Sequence, residues 1–236
     1  MGILAKVGRA WELVKAEPLP YLLVAAVGVV LGYVPFNRIP LPGSGYVPRL
    51  GTIVMGLFLA VSQGWIAWML ARQAAGTKPD IVAAARETVP GLGWLSLLGV
   101  IYAATDMALS RYVVPTYGAF GRELLVGSYL LAAYLMLLVR LSSCPVALEK
   151  APLADAVRAG IEAIMAAPWQ LFFVWFVLGL FGTGLAKGIF AIAQAAEGGY
   201  TVAELAIRCL TGLLGVFFGC IVALYARPAA KGTGGA

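Results

Sequence analysis

Apolar positions gather into six blocks, each close to the length needed to cross a bilayer. They are Leu19–Val34, Thr52–Ala71, Leu92–Leu109, Leu124–Val139, Trp169–Ala186 and Cys209–Ala226. As helix, each covers about 24–30 Å, which matches a hydrocarbon core. The first block is short and draws on Pro35 and Phe36, or on local thinning, to complete its crossing. Lys6, Arg9 and Lys15 precede it as they would a signal peptide, but no small-x-small cleavage site follows. It is therefore expected to be an uncleaved span.

Ahead of every second block the pattern changes to a helical period of mixed character. In Leu4–Glu17, the residues Leu4, Val7, Trp11 and Val14 share a face that excludes Lys6, Arg9 and Lys15. In Asp80–Val89 the stripe is Ile81, Ala85 and Val89, and in Leu153–Ala167 it is Leu153, Val157, Ile161 and Ile164. Helices of this kind lie at a membrane surface or against a bundle. Each runs into a proline: Pro18, Pro90 or Pro168. Proline is tolerated in a first helical turn, where its missing N–H costs no bond, so a sharp entry into the bilayer follows. The segments RAWELVKAEP, ARETVP and RAGIEAIMAAP ending at these prolines also look alike.

This pattern predicts an all-α polytopic membrane protein of six transmembrane helices in three hairpins. A cytoplasmic interfacial amphipathic helix precedes each hairpin. The expected units of the single membrane domain are 1–71, 72–139 and 140–227, with a disordered tail at 228–236. Composition agrees. Of 236 residues, 61% are hydrophobic and 12% charged, and the mean hydropathy is +0.90, which excludes a water-soluble globule.

The net charge of +6 does not come from a basic patch, so nucleic acid is not an expected partner. It reflects sidedness. Eleven Lys and Arg fall on the side of the termini, with Arg140 counted there beside Lys150 and Arg158. The opposite side holds Arg38, Arg49, Arg111, Arg122, Lys187 and Arg208. This bias predicts a bacterial cytoplasmic-membrane protein with both termini in the cytoplasm. Trp11, Trp65, Trp68, Trp94 and Trp169 fall near the same boundary, as interface anchors do.

Little reactive chemistry is on offer. With no histidine, the commonest metal ligand and general base are missing. Cys144, Cys209 and Cys220 form no C-x-x-C pair. No catalytic residue, cofactor or metal site is expected. Asp106 and Lys187 are the ionisable residues read as close to a span; with Arg111 and Arg208 they form a candidate polar cluster at the outer surface. The alternative is that the cations snorkel to headgroups and Asp106 pairs with one of them. Gln63, at mid-span, requires a partner on a neighbouring helix. Small-residue stripes at Gly28/Gly32, Gly56/Gly64, Gly184/Gly188 and Gly215/Gly219 predict close helix packing, within the bundle or with membrane-protein partners. The proline-rich stretch Pro35–Leu50 is expected to be extended and semi-rigid.

Cys144–Leu180 joins a proline-to-Glu-Lys helix exit, a short Leu-x-x-Ala-x-Arg helix and a Pro-Trp start. With the spacings Pro145-x-x-x-Glu149-Lys150 and Leu153-x-x-Ala156-x-Arg158, it resembles bacterial six-helix membrane proteins grouped with the membrane domain attached to some glycerophosphodiester phosphodiesterases. The resemblance implies a fold and carries no catalytic motif. Two functions remain in view. One is a non-enzymatic membrane scaffold or accessory subunit of a larger assembly. The other is a translocator of small solutes or lipids, or a lipid-handling protein, which would need a polar cavity or a groove open to lipid.

Overall fold

The computed structural model describes residues 2–33, 49–108, 122–195 and 200–226. Among these there is no strand, and the ordered elements are helices: α1 (Ile3–Ala16), α2 (Pro18–Tyr33), α3 (Arg49–Ala74), α4 (Ile81–Thr88), α5 (Leu92–Ala108), α6 (Arg122–Glu149), α7 (Leu153–Ala166), α8 (Pro168–Ala195) and α9 (Tyr200–Ala226). Five stretches are long and apolar enough to cross a membrane, and α1 with α2 makes a sixth if that bent pair counts as one span. The chain is thus an all-α polytopic protein. The Pro35–Leu50 stretch (apart from Arg49 and Leu50, which open α3), Arg111 and the 228–236 tail lie outside the described residues.

The proline junctions decide how each span begins. α1 and α7 both run for 14 residues and stop one residue before a proline. The linking residues have similar non-helical backbones, φ −141° and ψ 75° at Glu17 and φ −149° and ψ 50° at Ala167. Proline disfavours the helical region for the residue before it, which accounts for both breaks. Across the first, the helix axis turns by 96°. The middle junction differs. Asp80 caps α4 by accepting from the Val82 N–H at 2.8 Å. Val89–Gly91 then forms a 3-10 turn around Pro90, and helix continues from Ile81 to Ala108.

The inward faces of the surface helices match the expected stripes only in part. In α1, Ala10 and Leu13 are buried, whereas Leu4 is 83% and Trp11 56% exposed. In α4 the buried residues are Ala84 and Thr88, with Val89 exposed; in α7 they are Ala156 and Gly160, with Ile161 exposed. The most buried positions are mostly small, while Val7, Val14, Ile81, Leu153, Val157 and Ile164 of the expected stripes pack half-buried against the core and Leu4, Trp11, Val89 and Ile161 face outwards. In lipid the outward face incurs no hydrophobic penalty, so close backbone approach decides the packing.

The centre of the bundle is α3, α6 and α9. α3 packs chiefly on α5 and α6, and α9 on α8, α2 and α6. The α3–α5 crossing depends on glycine. A Cβ at Gly56 would lie 2.5 Å from the Gly99 carbonyl oxygen, and one at Gly99 would lie 2.6 Å from that of Gly56. α8 is peripheral. Only 6% of its most apolar window is buried, against 56% for α6. Trp169, Phe173, Phe176, Leu180 and Phe181 all point away from the protein. α1 docks across the end of α9, with the Lys6 ammonium 3.3 Å above the Tyr225 ring and Trp11 edge-on to Phe217.

Candidate functional site: a buried arginine between two cavities

The apolar block read as ending at Val139 continues as helix for ten more residues, to Glu149. Pro145 lies inside α6 and cannot donate to the Leu141 carbonyl, yet the helix continues through it. Side chains in this turn bond back along the helix: Ser143 Oγ donates to the Val139 carbonyl at 2.7 Å and Cys144 Sγ to that of Arg140 at 3.4 Å. The helix ends at Lys150, which adopts φ 56°. Arg140 therefore lies nine residues from the end of α6, about 14 Å deep by helical rise. It is not a flanking residue, and the expectation that Asp106 and Lys187 alone are close to a span fails here. Without Arg140 the count of basic residues becomes ten against six, in the same direction.

Arg140 is 8% exposed. One terminal nitrogen, Nη1, donates to Gln63 Oε1 at 2.9 Å and to the Gly215 carbonyl at 3.3 Å. The guanidinium carbon lies 5.5 Å from the Phe218 ring centroid. Gln63, itself fully buried, uses its other end to donate to the Gly219 carbonyl at 2.9 Å and approaches Cys144 Sγ at 3.7 Å. The partner that Gln63 requires is thus shared between α6 and α9. Arg140 Nε has no hydrogen-bond partner among the described residues.

Among the described residues, the site has no counter-charge. The ion pairs among the described residues are Lys150–Glu87, Arg158–Glu162 and Arg208–Glu204, and none involves Arg140. An amide oxygen, a backbone carbonyl and an aromatic face orient a guanidinium but leave its charge intact. An uncompensated charge at this depth is costly, so water or an anion must reach it.

Arg140 lines two cavities. The first, about 400 Å³, lies between α2, α3, α5 and α9; its walls include Val24, Ala25, Phe58, Ile66 and Val216, and its polar lining is Ser62, Tyr102, Arg140, Arg208 and Thr211. Along α3 its lining passes from exposed Met55, through half-buried Phe58 and Leu59, to buried Ser62 and Ile66. The cavity therefore closes towards Arg140. The second, also about 400 Å³, lies between α6, α8 and α9 and is lined by Met136, Trp175, Leu178, Thr183, Leu214 and Phe218 with Arg140. Both volumes fall in the range of small-molecule sites.

The residues of the proposed outer cluster are placed separately. Asp106 is half-buried one turn from Tyr102, near the end of α5. Lys187 is exposed and lies within α8, which continues to Ala195. Arg208 pairs with Glu204 at 2.7 Å on its own helix and lines the first cavity. Among the described residues no ion pair joins Asp106 to Lys187 or Arg208.

The glycine stripes divide by environment. A Cβ at Gly28 would meet the Phe58 ring, at Gly64 the Ala147 and Leu95 side chains, and at Gly219 the Gln63, Ile66 and Arg140 side chains. At Gly184, Gly188 and Gly215 a Cβ would find no described atom within 4 Å. Gly32 falls within α2, but its surroundings lie outside what the structure describes. Two further close approaches, Gly91 against Val146 and Gly160 against Ser142, were not among the expected stripes; Gly160 does follow Ala156 by four residues, on the ridge that α7 buries.

Arg140 itself was legible in one respect. Leu124–Val139 has 16 residues and is followed by the uncharged run Leu141–Leu148; a crossing needs about 20 residues. Compared with protein-family models, with curated proteins and with solved structures, the chain matches none.

Proposed function

We propose that this protein binds an anionic ligand inside its helix bundle, as a lipid-handling protein or a carrier of small anionic solutes, with Arg140 as the anchor of the negative charge. The observation that carries this reading is a deeply buried guanidinium that has no carboxylate partner among the described residues and opens onto cavities on two sides. Arginine suits the task because its planar fork can grip a carboxylate or phosphate through two parallel bonds, and its charge persists at any physiological pH. Gln63 holds the fork in place, and the surrounding apolar walls lower the local dielectric, which strengthens the attraction for an anion.

The scaffold reading rests on sparse ionisable residues, small-residue stripes and interfacial helices, and Arg140 weakens the first of these. The resemblance of Cys144–Leu180 to membrane domains accompanying phosphodiesterases of lipid-derived substrates points towards lipid. The excess of basic residues on the side of the termini supports an orientation with both termini in the cytoplasm.

The test is to purify the wild type, R140K and R140Q from native membranes in mild detergent and to identify bound lipids and anions by native mass spectrometry. Wild type is expected to retain an anionic adduct, R140K to retain part of it, and R140Q to lose it. Identical adducts on wild type and R140Q, or none on wild type, would overturn the assignment.

A further inference from the structure

The two cavities meet at one place. Arg140, Thr211 and Gly215 line both of them, so α9 separates the cavities only by the width of its own backbone at Gly215. A Cβ at Gly215 would have no described heavy atom within 4 Å. The neighbouring turn is closed by contrast, since a Cβ at Gly219 would come 2.9 Å from Gln63 Oε1 and 3.0 Å from Arg140 Nη1. An open glycine therefore sits beside the arginine at the junction, and the Gly215 carbonyl accepts from the same guanidinium.

The linings also define what would bind. Each cavity presents mainly hydrocarbon and aromatic surface, and the cation they share is a single one. A small hydrated anion gains nothing from apolar walls and gives up water to enter them. A neutral hydrocarbon leaves the guanidinium uncompensated. An amphiphile with one negative charge satisfies both.

We propose that the two cavities are halves of one site for a singly charged amphiphilic anion, continuous past Gly215, in which Arg140 holds the head and either cavity receives the apolar chain. This rests on Arg140 being an anion anchor and adds the ligand class and the path. A carboxylate and a phosphate diester head, each with one negative charge, share the required chemistry.

The experiment uses G215C in the full chain, in a C209S background because Cys209 is exposed whereas Cys144 and Cys220 are buried. The protein is reconstituted in phosphatidylcholine vesicles. Labelling is followed with an anionic (sulfonatoethyl) and a cationic (trimethylammonioethyl) methanethiosulfonate. The thiolate attacks the sulfenyl sulfur, a mixed disulfide forms, and methanesulfinate leaves. With Arg140 present the anionic reagent should react at least about 10-fold faster, the low end of what a focused charge does to encounter rates. R140K should keep the preference and R140Q should lose it. Decanoate and decyl methyl phosphate should each protect G215C; decanol and inorganic phosphate at the same concentration should not.

Absent labelling, labelling indifferent to charge, or equal protection by decanol would overturn the proposal, and equal protection by inorganic phosphate would overturn the amphiphile class. Should R140Q not be recovered monodisperse, the protection experiments in the Arg140 background decide. Wild type that carries an Arg140-dependent anion while G215C stays unlabelled would remove the passage and leave the anchor standing.

Discussion

At position 63 both ends of one amide are in use: the oxygen accepts from Arg140 and the nitrogen donates to the Gly219 carbonyl. Replacing it by leucine leaves a buried cation with one fewer acceptor and a carbonyl with no donor from this side chain. Q63L should therefore lose about 2–3 kcal/mol of stability, the scale of a hydrogen bond to a buried charged group. Denaturation in detergent, followed by helical circular dichroism, measures this; an unchanged midpoint would contradict the shared amide. The need of Gln63 for a partner was readable from the sequence, because an amide in the middle of an apolar run has few other options. Arg140 showed only in the shortness of the block before it, because a charge at the edge of an apolar block normally marks the end of a span. Here the block resumes beyond it, through Ser142, Ser143 and Pro145, none of which looks apolar.

Among the elements, glycine placement separates contacts that fix the bundle from those that do not. G56L would drive a side chain into the Gly99 carbonyl and force α3 from α5. Backbone is less able to yield than a side-chain tip, so the expected cost is at or above about 3 kcal/mol, the upper end for overpacking. G184L meets open space among the described residues and should stay within about 0.5 kcal/mol of wild type. Comparing their unfolding midpoints checks the α3–α5 crossing, and equal effects would refute it. The positions of the spans and surface helices were legible from periodicity alone. Which ridge of each surface helix faces inward was legible in part: Val7, Val14, Ile81, Leu153, Val157 and Ile164 pack against the core, and the smaller, more buried positions beside them were not foreseen. Hydrophobicity distinguishes apolar from polar, but Leu4 and Trp11 are as well accommodated by lipid as by protein, and Ala10 is chosen because it is small.

For the whole molecule, the outward aromatic surface of α8 and the basic bias of one face both point to the bilayer as the solvent that completes the structure. Alkaline phosphatase fused after residue 236 should be inactive and a fluorescent protein fused there should fluoresce, if the termini are cytoplasmic; the opposite pattern would reverse the orientation. The six-block pattern of the sequence already contained this outline, while the interior charge emerged only when α6 packed against α3 and α9.

The most direct test of the buried, uncompensated cation is Q63E, which places a carboxylate where an amide oxygen now lies 2.9 Å from Arg140. If the site is kept for an external anion, this internal one should displace it: native mass spectra of Q63E should show a folded protein without the anionic adduct of wild type. The same adduct on both proteins, at the same occupancy, would contradict the account.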